Sequence, residues 1–288
     1  ALELDSKLEN TYLNLASIYH QMGDYNKSIY FAKKELSINQ ENDLCYQLIA
    51  ELIKKQSLVY ISDINNRKIL SNILNRKDIS HRELFGNIDN VISRETLEKL
   101  SSLEIDLFGN TEFNTLIKDK IFTKALSLLI FCSPFWEIFL RKARKIMLLS
   151  YSNKTQINKN ILNFTIALGS QCFLNEYVYY TSEEEKLKLE ELKEQIDNNI
   201  CQEYKLALIS CYQSLSSINN KIINLNNFSS EEKEFNKLID LQFNDFIIEQ
   251  KISNDIKKIG KIDDFISKKV KGQYELNPYP RWRYNSYA

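Results

Sequence analysis

The chain has 288 residues, 43% of them hydrophobic, and its 38 basic and 38 acidic side chains balance to a formal net charge of +0. At roughly 100–200 residues per domain, that is room for two or three units with real cores, and the charge balance excludes a broad electrostatic footprint for nucleic acid or an anionic lipid surface. Glycine (6) and proline (3) fall well below their usual shares of about 7% and 5%, so an all-α chain is expected.

The first predicted element is a helical hairpin. In ENTYLNLASIYHQMGDYNKSIYFAKKELSINQEN, residues 9–42, Tyr12, Leu15, Ala16 and Tyr19 recur at i, i+3, i+4 and i+7, the stripe of an amphipathic helix. Gly23 and Asp24 supply a tight turn, and Tyr25, Ser28, Ile29 and Ala32 form the inward face of a second helix. Ala16 and Ser28 are small enough to let the two helices approach. This stretch closely resembles a tetratricopeptide repeat, with departures at Ala32 (usually a large aromatic), Glu35 (usually alanine) and Gln40 (usually proline). ALELDSK, 1–7, looks like the tail of a preceding repeat, and DLCYQLIAELIKK, 43–55, reads as a helix capping the solenoid.

The resemblance implies a concave face for peptide or protein partners, carrying Asn10, Leu13, Asn14, Ser17, His20 and Gln21. That face lacks the Lys/Arg pairs that grip a terminal carboxylate in some members, and the alternative is an intramolecular scaffold with no ligand. The repeat and its flanking helices are expected to occupy residues 1–58.

Residues 59–266 read as an irregular helical domain of roughly eight to ten helices. Ser80–Glu83, Thr181–Glu184 and Ser229–Glu232 have capping-box spacing. His81, next to Ser80, is expected at the surface in a first helical turn. Ser133-Pro134 is a second kind of helix start, opening PFWEIFLRKARKIMLL, and Gly260 is placed to stop a helix. Within that opened helix, Arg141, Lys142, Arg144 and Lys145 read as a solvated face. In FTIALGSQCFLNEYVYYTSEEE, 164–185, the polar residues Gln171, Cys172, Asn175, Glu176 and Tyr177 punctuate an apolar helix. Asn175 follows Gln171 by four and Glu176 follows Cys172 by four, so they are expected on one face. Either they satisfy neighbouring backbone inside the protein, or they form a contact surface for another domain.

The chemistry-bearing motifs are sparse. The glycines at 23, 86, 109, 169, 260 and 272 make no glycine-rich nucleotide turn, and P-loop, GxSxG and HExxH patterns are missing from the sequence. The five cysteines (Cys45, Cys132, Cys172, Cys201, Cys211) have no CxxC spacing, and the histidines are His20 and His81, so no zinc site is expected. An odd cysteine count with no charged-then-apolar leader fits a reducing cytoplasm. No membrane partner is expected, since the longest apolar run, ALSLLIFC at 125–132, is too short to span a bilayer.

The last stretch, 267–288, reads as a linker ending in QYELNPYPRWRYNSYA. Asn277 and Tyr279 each precede a proline and are pushed towards extended backbone, while Pro278 and Pro280 fix their own φ. A stiff polyproline-like strap of about 3.1 Å per residue follows, with Tyr274, Tyr279 and Trp282 for apolar area and Arg281 or Arg283 to stack on a ring. The alternatives are a plain proline-rich linker or a ligand for a partner's aromatic groove.

Taken in order, the repeat, QCFLNEYVY at 171–179 and QYELNPYPRW at 273–282 resemble one family: tetratricopeptide-containing class I S-adenosylmethionine-dependent methyltransferases. IDDFISKKVKGQY (262–274) and FWEIFLRKARKIMLL (135–149) are similar to the matching stretches of that family. There the glycine-rich cofactor strand follows the strap. The resemblance therefore implies a non-catalytic part that recruits substrate and packs, through the 171–177 residues and the strap, on a methyltransferase domain in cis. S-adenosylmethionine is expected only for that missing domain, and this chain is expected to hold no cofactor, metal or catalytic residue. The alternative is a non-enzymatic repeat adaptor.

Overall fold

The computed structural model describes residues 10–56, 64–89, 93–102, 107–152, 157–196, 203–218, 230–257 and 264–276. Every described element is helical, as expected from the sequence, and the described residues contain no strand. They fall into two compact units, one over 10–89 and one over 93–276.

In the first unit, α1 (Thr11–Gln21) and α2 (Tyr25–Ile38) form the expected hairpin. Gly23 turns the chain at φ 77°, a region that side-chain-bearing residues resist, and the Asp24 carboxylate caps α2 by accepting from the Lys27 N–H at 3.1 Å. The helices meet at small residues: Ala16, Ser28 and Ala32 are fully buried, and the Ser28 hydroxyl donates to the Ala16 carbonyl at 2.7 Å. The aromatic expected at position 32 comes from its neighbour, since Phe31 stacks on Tyr19 and Tyr12 with centroids 5.3 and 6.3 Å away. Glu35, the other departure, is also fully buried. It accepts from the Asn10 backbone N–H (3.1 Å) and the Asn42 amide (3.4 Å), tying the start of α1 to the α2 exit.

Helix α3 (Asp43–Gln56) covers this hairpin, as the amphipathic 43–55 pattern predicts. It also packs against α4 (Ile64–Asn75) and the short α5 (Phe85–Ile88). Arg76 bridges the head of α3 to the turn after α4 through Asp43 (2.8 Å) and Asp78 (2.9 Å), and its guanidinium lies over the Tyr46 ring. The Asn87 amide donates to the Ile53 carbonyl, and Leu70, Ile73, Leu84 and Ile88 are buried. The compact unit thus runs past the 58/59 boundary read from the sequence, because the apolar faces of α4 and α5 are covered here.

Two local expectations change. Ser80–Glu83 starts no helix: Glu83 sits at φ 132° and α5 begins two residues later behind Leu84. His81 is buried, not at the surface, with Nε2 2.9 Å from the Ile73 carbonyl oxygen.

The second unit is built around α10 (Lys159–Leu174), whose apolar residues occupy nearly its whole circumference, the signature of a central helix. Packed on it are α7 (Thr111–Lys118), α8 (Lys120–Leu126), α9 (Pro134–Ser150), α12 (Glu203–Ser210) and α13 (Lys233–Ile239). Helix α6 (Arg94–Ser102) lies on α9, and α11 (Glu183–Glu194) lies on α9 and α12. Pro134 opens α9 behind Ser133 as predicted. The core is aromatic: Trp136 stacks on Phe122 (5.3 Å) and meets Phe131 and Phe139 edge-on, while Phe164 contacts Phe113 and Phe122.

Helices α10 and α12 approach so closely at Gly169 that a Cβ there would run into the Ser210 hydroxyl, with Ser210 Cβ at 3.2 Å. A π-helical turn, Asp240–Asn244, presents Gln242 to this crossing. Its fully buried amide donates to the Gly169 (2.9 Å) and Ser210 (3.3 Å) carbonyls and accepts from the Leu215 N–H (3.2 Å). Of the remaining capping boxes, the one expected at Thr181–Glu184 forms one residue later, as Ser182 with Glu185. Ser229 lies outside the described residues, and α13 starts after Glu232, whose N–H is held by the Ser230 hydroxyl.

Eleven α-helices, α4 to α14 (Asp245–Asp255), occupy the described part of 64–255. Gly260 lies outside the described residues. The last element, α15 (Phe265–Leu276), makes the first ten residues of the 267–288 linker helical.

Candidate functional site

On the hairpin, the six residues expected on a concave face divide. Leu13 is buried, Asn10 holds Glu35 through its N–H and accepts from the Asn42 amide (3.2 Å), and His20 lies against the Tyr25 ring with Nε2 3.6 Å from Glu51. Asn14 and Gln21 are exposed and Ser17 half-buried, its hydroxyl donating to the Leu13 carbonyl. The open part of the α1 face is therefore Asn14, Ser17 and Gln21.

In the second unit the polar residues of 171–177 do not share one face. Helix α10 ends at Leu174, and Glu176 and Tyr177 take left-handed backbone (φ 58° and 57°), a conformation costly for residues with a side chain. The Tyr177 N–H donates back to the Cys172 carbonyl at 2.8 Å, closing the turn. Gln171 stays in the core beside the Leu126 and Leu129 carbonyls, to which its amide nitrogen donates (3.2 and 2.6 Å) once the amide is turned so that oxygen no longer faces them. Cys172 is also buried, whereas Glu176, Val178 and Tyr180 reach the surface. Tyr274 belongs to α15, and Asn277, Pro278, Tyr279, Pro280, Arg281 and Trp282 lie outside the described residues.

The densest polar constellation centres on a residue read from the sequence as solvated. Arg144 is fully buried between tyrosines, its guanidinium carbon 4.1 Å from the Tyr212 ring centre and 5.8 Å from that of Tyr179. It donates to the Tyr180 (2.8 Å) and Cys211 (3.3 Å) carbonyls and to the Thr181 hydroxyl (3.3 Å), and lies 3.7 Å from Glu185. Glu185, equally buried, accepts from the Ser182 N–H and hydroxyl and from the Tyr212 hydroxyl (2.8 Å). Burial raises the Tyr212 phenol well above its ordinary range, against the pull of Arg144.

Two thiols lie behind this pair. Burial and the facing Cys172 push Cys211 well up, and its S–H points to the Ala207 carbonyl at 3.2 Å. Burial also opposes ionisation of Cys172, but Cys211 and Arg144 outweigh it and draw that thiol below its ordinary value. Helix spacing alone could flag Arg144, since it shares the α9 stripe with Leu140 and Leu148 at i±4. Its hydrogen-bond partners, from 36 to 67 positions away, leave no local signal.

Outside the ion pair, Ser101, Ile138, Arg141, Lys142, Lys145, Tyr180, Ser182 and Glu185 line a half-open cleft of about 320 Å³. Among the described residues no group of His, Cys, Asp and Glu is arranged to hold a metal ion, and no helix is long and apolar enough to cross a membrane. No protein-family model, curated protein or solved structure matches the chain.

The four described cysteines differ in access: Cys132 is exposed and Cys45, Cys172 and Cys211 are buried. Burial, with the Glu35 charge adding to it, pushes Cys45 up to about 12. A raised thiol favours the folded state fully below the ordinary value of about 8.5, and that contribution is lost as pH climbs towards the folded value. With a polar thiol reagent at about pH 8, Cys132 is expected to label at once and the other three only at the rate of unfolding. Peptide mapping of the labelled sites checks this, and fast labelling of native Cys45 would contradict it.

Proposed function

We propose that the chain is the non-catalytic, substrate-recruiting helical portion of an S-adenosylmethionine-dependent methyltransferase, with no residue here engaged in methyl transfer. The reading is supported by the ordered resemblance of the hairpin, QCFLNEYVY and NPYPRW to that family. The observation that carries it is the turn after α10. The same short word that anchors Gln171 and Cys172 in the core then turns through two left-handed residues and delivers Val178 and Tyr180 to the surface. Strained, aromatic-bearing turns of this kind are suited to holding a neighbouring domain. Asn14, Ser17 and Gln21 on α1 offer hydrogen-bonding groups for a peptide or protein substrate, as tetratricopeptide hairpins do. The cofactor would belong to a domain following the strap.

The test is calorimetric titration of S-adenosylmethionine into this chain and into a chain continued past residue 288 along its own gene. Saturable binding by the longer chain alone is expected. If neither chain binds, the methyltransferase reading falls and a repeat adaptor for peptide partners takes its place.

A further inference from the structure

We propose that the cleft between α9 and the 180–185 turn docks an acidic protein segment carrying an aliphatic or aromatic anchor residue. The first argument is charge. Arg141, Lys142 and, one turn on, Lys145 line the same cleft from α9. Lys145 is met by Glu184 at 3.1 Å, while Arg141 and Lys142 make no ion pair among the described residues. The one carboxylate in the wall, Glu185, is committed to Arg144, Tyr212 and Ser182 and is 2% exposed. The Ser101 hydroxyl is spent on the Leu97 carbonyl and that of Ser182 on Glu185. With Glu184 paired to Lys145 and Glu183 to Lys186, the rim leaves Arg141 and Lys142 as cationic donors without an acid partner among the described residues, which favours carboxylates over basic partners.

The second argument is the apolar wall. Ile138 is 49% exposed, Tyr180 68% and Val178, two residues back on the same turn, 71%. An arginine beside exposed aromatic and aliphatic side chains is the composition of a protein–protein contact. The half-open shape suits an extended segment passing over the cleft better than a small anion enclosed by it. Because the Arg144 bond is made to the Tyr180 backbone carbonyl, the Tyr180 ring is free for a partner without loosening the turn. The proposal uses Val178 and Tyr180, the same turn on which the methyltransferase reading rests, and a peptide experiment without S-adenosylmethionine tests it separately from that reading.

The experiment is fluorescence anisotropy of the whole chain with a labelled twelve-residue probe peptide, alternating Glu/Asp with a central Phe-Leu pair. A control peptide has every acid replaced by serine. Selective, salt-sensitive binding of the acidic probe is expected. It should weaken about tenfold or more in Arg141→Glu/Lys142→Glu and several-fold in Tyr180→Ala, by loss of charge complementarity and of the anchor contact respectively. Circular dichroism of these surface variants should match the unaltered chain.

Three results would overturn the proposal: no binding of the acidic probe, binding indifferent to the charge reversal, or displacement by millimolar inorganic phosphate with no effect of Tyr180→Ala. The last would make the cleft a small-anion site.

Discussion

Arg144→Met is expected to destabilise the second helical unit by about 3–5 kcal/mol, because it leaves Glu185 as an uncompensated buried charge. The guanidinium also satisfies the Tyr180 and Cys211 carbonyls and fills the space between two tyrosine rings, so its removal costs hydrogen bonds and packing together. Glu185→Gln is expected to cost less. An amide oxygen can still accept from Ser182, as in Gln-containing capping boxes. The double variant should be less damaging than the two single effects summed, since neither charge is then stranded. Urea unfolding of the four chains, followed by far-ultraviolet circular dichroism, measures the coupling. A loss below about 1 kcal/mol for Arg144→Met would mean that water reaches the pair and that it is no more than a surface bridge.

Trp136→Ala carries a comparable penalty, about 3–5 kcal/mol, from lost transfer energy and the cavity left behind. The indole is fully buried, stacked on Phe122 at 5.3 Å and edge-on to Phe131 at 5.1 Å and Phe139 at 6.1 Å. Those rings come from α8, the turn after it, and α9. Its loss should therefore loosen the packing of several elements on α10. Trp136→Phe, which keeps an aromatic face, should cost clearly less. The chain has two tryptophans, so the emission shift on unfolding separates the Trp136 signal by difference. Near-equal urea midpoints for Trp136→Ala and Trp136→Phe would show that ring stacking contributes little here.

Several features were determined by the sequence alone because their causes are local. Scarce glycine and proline, with apolar residues recurring at i, i+3, i+4 and i+7, point to helix, and the described elements are all helical. The Gly23–Asp24 turn, the Ala16–Ser28 approach and the Ser133-Pro134 helix start need only a left-handed residue, small side chains and a pre-set φ, each readable from a few neighbouring letters. The capping of α11 was legible to within one residue, since either Thr181 or Ser182 could supply the hydroxyl.

Tertiary structure decided which faces are inside. Leu13 and His81 were assigned to the surface and are buried, and Phe31 rather than position 32 supplies the aromatic contact. A helical wheel defines a stripe but not how wide its partners make it. Arg144 was grouped with Arg141, Lys142 and Lys145 as one solvated face, yet it alone turns inward. The carboxylate, carbonyls and rings that make its burial tolerable arrive from positions 179–185 and 211–212. The polar word at 171–177 was read as one helical face, but the helix stops at Leu174, where two left-handed residues divert the chain. A buried charge is permitted only where distant groups have already been brought together to receive it, and that assembly belongs to the packed chain as a whole.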